Sequence, residues 1–428
     1  MLVSIQLGIM MFLEYAIWGA WTPILTQDVA HFGFTGMQVG WLYGALPLGC
    51  MIAPLIGGQF VDRWMPTQIF LGIAHLLGAV FLWLMSAQTT FPPMMVHMLI
   101  WSILFAPTMA FTNSICFIHL RNSDRDFPII RTMGTIGWIV AGLTLTAWRV
   151  HPDLLHLPGH IDSLALAAAC SLALGLFCFL LPNTPPSRAT GNPYAFLEAL
   201  KMFRNPKMAF FLLLCMVATT EFQFFYQLSA PFLKFAGVTE AHIPAVKTVS
   251  QGFEIGVLAI GLPLLLPVLG IRVCLLIGLI AWPLRYLIFV FQEPLWLIIA
   301  SLGLHGFGFA FYFIVAFMYL DRVAPKDIRG SAQGLITFAT YGLGMFIGSL
   351  FCGKVQDFYT VAGGAVVSQD FFGWLFNYAT PGGAIDWRGV FLVPTLITSL
   401  CAVAHWVWFR EASVAEVAAA TGSAARKR

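Results

Sequence analysis

The 428-residue chain is 59% hydrophobic and only 10% charged, with a formal net charge of +3 and a mean hydropathy of +0.84. Soluble domains carry roughly a quarter charged residues, so a water-soluble globule is excluded. Apolar stretches of about 20 residues recur, and they are continuous rather than alternating, which predicts membrane-spanning helices rather than barrel strands.

The first stretch has no Lys or Arg before Arg63 and is interrupted by Glu14. It is therefore expected to be a retained first span, not a signal peptide. In chain order, twelve spans are expected at 6–26, 37–57, 67–87, 94–119, 130–149, 162–182, 208–233, 245–269, 272–292, 295–320, 331–352 and 388–409. The polar stretch "PNTPPSRATGNPYAFLEALKMFRNPK" falls between the sixth and seventh and divides the spans into two groups of six. The expected organisation is an N-terminal group over 1–182, a cytoplasmic linker over 183–207, a C-terminal group over 208–409 and a cytoplasmic tail over 410–428. "REASVAEVAAATGSAARKR" is expected to be a frayed helix with a disordered end.

Basic residues orient the chain. Arg149, Lys234, Lys247, Lys354 and Arg388 fall on one side, Arg131 and Arg285 fall within spans, and the other fifteen of the 22 lie on the opposite side. That excess marks the cytoplasm and places both termini there. The eight cysteines sit in or at the ends of apolar segments without metal or redox spacing, so no disulfide is expected.

Two groups of six spans around a long cytoplasmic centre are the layout of the major facilitator superfamily. That resemblance implies an all-α integral membrane protein of two six-helix bundles facing a central cavity. "GGQFVDRW" after the second span resembles the superfamily's G-x-x-x-D-R loop, which assigns Gly58, Asp62 and Arg63 to stabilising one closed state.

Away from loops and helix ends the charges are few: Glu14, Arg131, Glu221, Glu254 and Arg285, with His75, His97, His119 and His305 as titratable company. An ionised group at a helix centre costs roughly 2.5–3.5 kcal/mol on insertion scales. It persists where it lines a wet cavity, pairs with a partner or performs a function. The plain alternative is a polar pair that only fixes packing, which fits Glu14 and Arg285 better than Glu254 and Arg131.

Spacing gathers these residues into strips. Arg131, Thr135 and Trp138 share one face of the fifth span, and Gln251 and Glu254 stand three apart on the eighth. Gln223, Tyr226 and Gln227 share a face of the seventh, and His305, Phe309 and Tyr312 form a stripe along the tenth. Gln offers a donor and an acceptor together, as nucleobase edges require. Aromatic rings offer stacking faces, Glu accepts from hydroxyls, and Arg pairs with Glu or donates to carbonyls. The inventory suits a neutral polar ring compound with hydroxyls; the aromatic stripes also suit plain packing.

"FLEYAIWGAW", "FPIIRTMGTIGWI", "SQGFE", "AWPLRY" and "DIRGSAQG" resemble the nucleoside:proton symporter family of that superfamily over nearly the whole chain. The resemblance implies nucleoside import driven by protons, without cofactor, metal or nucleic acid, by a functional monomer in a bacterial inner membrane. It implies that Arg131, Thr135 and Trp138 line the nucleoside site from the N-terminal bundle, with Gln223, Gln251 and Glu254 facing them. Three positions depart from the family pattern. Its acidic residue on the tenth helix is Ala310 here, a neighbouring tyrosine is His305, and an asparagine on the seventh is Tyr226. Tyr226, His305 and Phe309 complete the expected substrate set, and Glu254, Arg131 and His305 are the candidates for proton coupling. Desolvation would favour a protonated Glu254, and proximity to Arg131 would favour proton release.

Other classes leave weaker traces. An intramembrane enzyme would need a converging nucleophile or metal set; H-E-x-x-H, G-x-S-x-G and a phosphate-binding G-x-x-x-x-G-K-[ST] loop do not occur. "HPDLLHLPGHID" holds His151, His156 and His160 at spacings that can bind metal, but its prolines and glycine predict an ordinary outer loop. A facilitator for sugars or other polyols, and a non-transporting sensor, are the remaining alternatives.

Overall fold

The structure, a computed structural model, describes residues 2–153, 157–186, 199–325, 328–360 and 385–421, with the side chains of 53–63 and 123–124 outside that description. Its regular elements are helices. The first six are α1 (Leu2–Trp21), α2 (Gly36–Arg63), α3 (Thr67–Ser86), α4 (Phe91–His119), α5 (Ser123–Val150) and α6 (Asp162–Phe177). There follow α7 (Pro206–Phe235), one run from Glu240 to Phe291, α10 (Leu295–Val323), α11 (Arg329–Phe358), α12 (Trp387–Trp408) and a short α13 (Val414–Thr421). Ten runs of the described residues are long and apolar enough to cross a membrane.

The 52-residue run from Glu240 to Phe291 is too long for one crossing and is interrupted at Gly270, whose φ of 73° lies in the left-handed region that glycine enters without strain. We refer to its parts as α8 (240–269) and α9 (271–291). Elsewhere polar caps set the ends. The Asn205 side chain accepts from the backbone N–H groups of Lys207 and Met208 ahead of α7, with Pro206 at the first helical position. Asp386 does the same for Arg388 and Gly389 ahead of α12. Asn122 caps α5, which runs through Pro128 and so begins earlier than 130.

The helices are apolar on both faces. On α3, Leu71, Gly78, Leu82 and Met85 are buried, while Ile73, Leu77, Val80 and Trp83 are exposed. A helix of this kind has hydrocarbon, not water, for its outer solvent.

By internal contacts the chain forms two compact units: Met1–Thr190 with Phe225–Gln251, and Gly191–Phe224 with Gly252–Arg428. In the first, Trp21 meets Trp101 edge-on at 5.4 Å, over a core that includes Met10, Leu42 and Phe105. In the second, Phe222 packs edge-on against Trp282 at 5.4 Å and Phe313 at 4.6 Å.

Two expectations need correcting. Gly58 and Arg63 were expected in a loop, but the backbone carries α2 through Arg63; the side chains of Gly58, Asp62 and Arg63 lie outside the described residues. The tail was expected to be a frayed helix with a disordered end; the helix is present as α13 but is built into the second unit, and 422–428 lie outside the described residues. The Ala412 N–H donates to the Tyr319 hydroxyl at 2.7 Å, and Val417 is fully buried. The histidine loop holds no metal set among the described residues. His160 instead stacks on Trp83 at 4.3 Å and meets the Ser86 hydroxyl at 2.8 Å; His151 is exposed, and His156 lies outside the described residues.

Candidate functional site

In the first unit, the Arg131 guanidinium lies over the Tyr15 ring at 3.9 Å. Tyr15 and Arg131 are both half-buried, and a cation over an aromatic face in such a setting recovers about 1 kcal/mol, part of the cost of holding an arginine in a span. One helical turn on, Trp18 meets Trp138 edge-on at 5.3 Å, and Trp138 lies 6.3 Å from the Tyr226 ring. Glycines on α5 set this geometry. A Cβ at Gly134 would stand 2.7 Å from the Tyr15 ring, and one at Gly137 would collide with the Phe12 carbonyl, so α5 packs its backbone onto the Tyr15 ring at the first and onto the α1 backbone at the second. Arg131, Trp138 and Tyr226 are thereby brought to one wall, with α1 supplying Tyr15 and Trp18 between them. Thr135 is half-buried on the same helix, and Gln251 is buried with its Oε1 accepting from the Ser250 hydroxyl at 2.8 Å.

In the second unit, Glu254 and His305 come together: Oε2 and Nε2 are 4.0 Å apart, at the limit of an ion pair. Their approach depends on two glycines that neighbour His305. A Cβ at Gly306 would stand 2.6 Å from the Glu254 backbone nitrogen, and one at Gly303 would stand 2.8 Å from the Phe253 ring. Phe309 lies nearly parallel to His305 at 6.3 Å, and Phe222 covers it edge-on at 5.6 Å. Gln223 is buried in the same unit.

The stripe of His305, Phe309 and Tyr312 does not hold throughout. Phe309–Ile314 is a π-helical turn, and the extra residue rotates Tyr312 away, to 5.1 Å from the Trp282 ring and 3.6 Å from Cys215 Sγ. Ala310 is fully buried in that turn. Similar turns occupy Phe224–Leu228, Val257–Gly261 and Phe338–Gly344. Such turns concentrate at functional positions in helices; here one contains Tyr226, one begins three residues after Glu254 and one begins at Phe309.

The predicted coupling residues thus divide, with Arg131 in the first unit and Glu254 and His305 in the second. Sequence spacing missed Tyr15, Trp18 and Phe222, which hold the candidate residues by ring contacts. It also missed the partners of the remaining intramembrane charges. Arg285 Nη2 meets Glu221 Oε2 at 3.2 Å and the Tyr286 hydroxyl at 3.0 Å, all buried, a closed packing pair of the kind expected for Arg285. Lys247, expected on the outer side, is buried beneath the Phe225 ring at 3.6 Å and donates to the Phe225 carbonyl at 3.1 Å.

Comparison with known proteins gives the family. The family model for the nucleoside H+ symporter matches residues 1–414. YegT of Escherichia coli K12 is 32% identical over 428 residues, covering 96% of this chain and 95% of its own. The xanthosine permease of the same organism is 32% identical over 385 residues, covering 85% and 90%. The crystal structure of nucleoside transporter NupG superposes with a TM-score of 0.81 at 27% identity, covering 96% of this chain and all of the other. The chain belongs to the nucleoside H+ symporter family.

Proposed function

We propose that this protein imports nucleosides with protons by alternating access, as a carrier and not an enzyme, with twelve spans in two six-helix bundles and both termini in the cytoplasm. The match of the symporter model to residues 1–414 carries the reading. The span count is supported by the ten candidate runs, the further 28-residue helix Gly36–Arg63 and the break at Gly270 within the longest run.

Arg131, Thr135, Trp138, Tyr226 and Gln251 are the proposed substrate contacts of the first unit, and Gln223, Glu254, His305 and Phe309 those of the second. Trp138 and Tyr226 supply faces for a base, while the glutamines supply paired donors and acceptors for its edge. Glu254 accepts from sugar hydroxyls and holds a proton in one phase of the cycle. His305, 4.0 Å away, is placed to exchange it, since imidazole changes charge near neutral pH. Substrate binding favours a closed state, and the bundles then reopen to the other side.

The test is uptake of labelled uridine and adenosine into liposomes containing the purified protein, with and without an inward proton gradient. Accumulation above equilibrium only with the gradient is expected. Equilibration unaffected by the gradient would instead identify a facilitator, and no uptake of either compound would move the substrate outside nucleosides.

A further inference from the structure

A second buried carboxylate–imidazole pair lies in the first unit, among none of the residues assigned to the substrate. Glu14 Oε2 on α1 faces His75 Nε2 on α3 at 2.9 Å, and both side chains are buried to within 2%. The Thr108 hydroxyl of α4 donates to Glu14 Oε1 at 2.8 Å. All three residues fall well inside their spans. The Oε2–Nε2 approach is close but poorly aligned, and neither atom has another hydrogen-bond partner. We propose that Glu14 and His75 form a proton-carrying site of the transport cycle, linked to the substrate wall through α1.

Charge accounting in a dry interior supports the assignment. With one proton between them the two groups are net neutral, either as carboxylate with imidazolium or as carboxylic acid with imidazole. With no proton the pair is net −1, and with two it is net +1. Desolvation penalises both charged states strongly. A dry pair therefore retains one proton, and hydration of the pair lowers the cost of giving it up. A site that holds a proton when closed and releases it when wetted is what a coupled carrier needs.

Among the described residues, no competing ion pair reaches Glu14 or His75. α4 brings the Thr108 hydroxyl and the Phe105 ring, the latter edge-on to His75 at 6.0 Å. From α6 comes the Ser171 hydroxyl, which donates to the His75 carbonyl at 2.8 Å. α5 brings Arg131, directed onto the Tyr15 ring.

The link to the substrate wall is short. Glu14 is adjacent to Tyr15, which carries Arg131, and one turn from Trp18, which packs on Trp138. Because the α5 backbone carries the Tyr15 ring at Gly134 and the Phe12 carbonyl at Gly137, a small shift of α1 on proton loss is transmitted to both residues.

This rests on the proton-coupled reading, and two measurements on purified protein keep the failures apart. The first compares Glu14→Gln and His75→Gln with the parent in liposomes, for gradient-driven accumulation and for gradient-free nucleoside exchange. Loss of accumulation by tenfold or more, with exchange within about twofold and a flattened pH profile, is expected; Thr108→Val, which keeps both proton-binding groups, should retain accumulation. The second is infrared difference spectroscopy between acid and alkaline buffer, in which the parent should show a band of the pair's proton, a carboxylic-acid band absent from the Glu14→Gln variant or an imidazolium band absent from the His75→Gln variant. Unchanged accumulation, equal loss of exchange and accumulation in folded variants, or spectra in which both variants keep every band of the parent would each overturn the assignment. The band is read without transport, so it decides the matter even if the parent proves to carry something other than a nucleoside.

Discussion

Asp28 stands between two spans, outside the apolar runs, and it is more deeply buried than a loop aspartate normally is. Arg149 binds it at 2.7 Å and holds Asp162 by a two-pronged contact at 2.6 and 2.8 Å, while the Ser163 hydroxyl donates to the second Asp28 oxygen. Burial pushes the Asp28 carboxyl from 3.8 up to about 6, against the pull of Arg149. The folded protein then binds a proton at Asp28 more tightly than the unfolded chain does. Stability falls as pH rises through the window from about 4 to about 6, and the neutral form is favoured below it. Asp28→Asn keeps the shape without the charge. Its thermal stability relative to the parent should rise across that window, by up to about 3 kcal/mol, and level off above it. A difference that is flat with pH would show that Arg149 fully compensates the buried charge.

At the scale of elements, the spans were legible because hydrocarbon demands long apolar runs, which composition alone exposes. Their ends were less so. The Asn122 cap starts α5 well before the apolar run begins, and α11 continues to Phe358, past the predicted 352. The π-helical turns were illegible. A helical wheel assumes one period throughout, so Phe309 was placed correctly beside His305 and Tyr312 was not. The glycine contacts were equally hidden, because a glycine in a span reads the same whether its Cβ position is crowded or empty. Gly306 and Gly252 separate the two cases. At Gly306 a methyl would press on the α8 backbone, which cannot move cheaply, whereas at Gly252 nothing lies within 4 Å. Gly306→Ala should cost about 1–3 kcal/mol through overpacking and weaken substrate binding by displacing His305 from Glu254. Gly252→Ala should raise stability by up to about 1 kcal/mol through helix propensity. Thermal unfolding with and without nucleoside reads both effects, and equal behaviour of the two variants would refute this account of the helix contact.

For the whole molecule, fifteen of 22 basic residues on one side is an argument from charge and membrane insertion, independent of side-chain packing. It predicts sidedness and gives no hint that the tail packs. Ala412 and Val417 look like linker residues until Tyr319 and the buried surface beneath α13 are in view. The orientation can be tested through two exposed positions, His151 after α5 and Ala415 in α13. Six of the eight native cysteines are buried, so replacing Cys50 and Cys170 with alanine gives a quiet background. In intact cells a membrane-impermeant maleimide should label His151→Cys. It should reach Ala415→Cys only after the membrane is opened, because the positive-inside bias puts the tail with the basic loops. The reverse pattern would invert the topology, and it would then place the Asp28–Arg149–Asp162 cluster on the cytoplasmic side, where its protonation would follow internal rather than external pH.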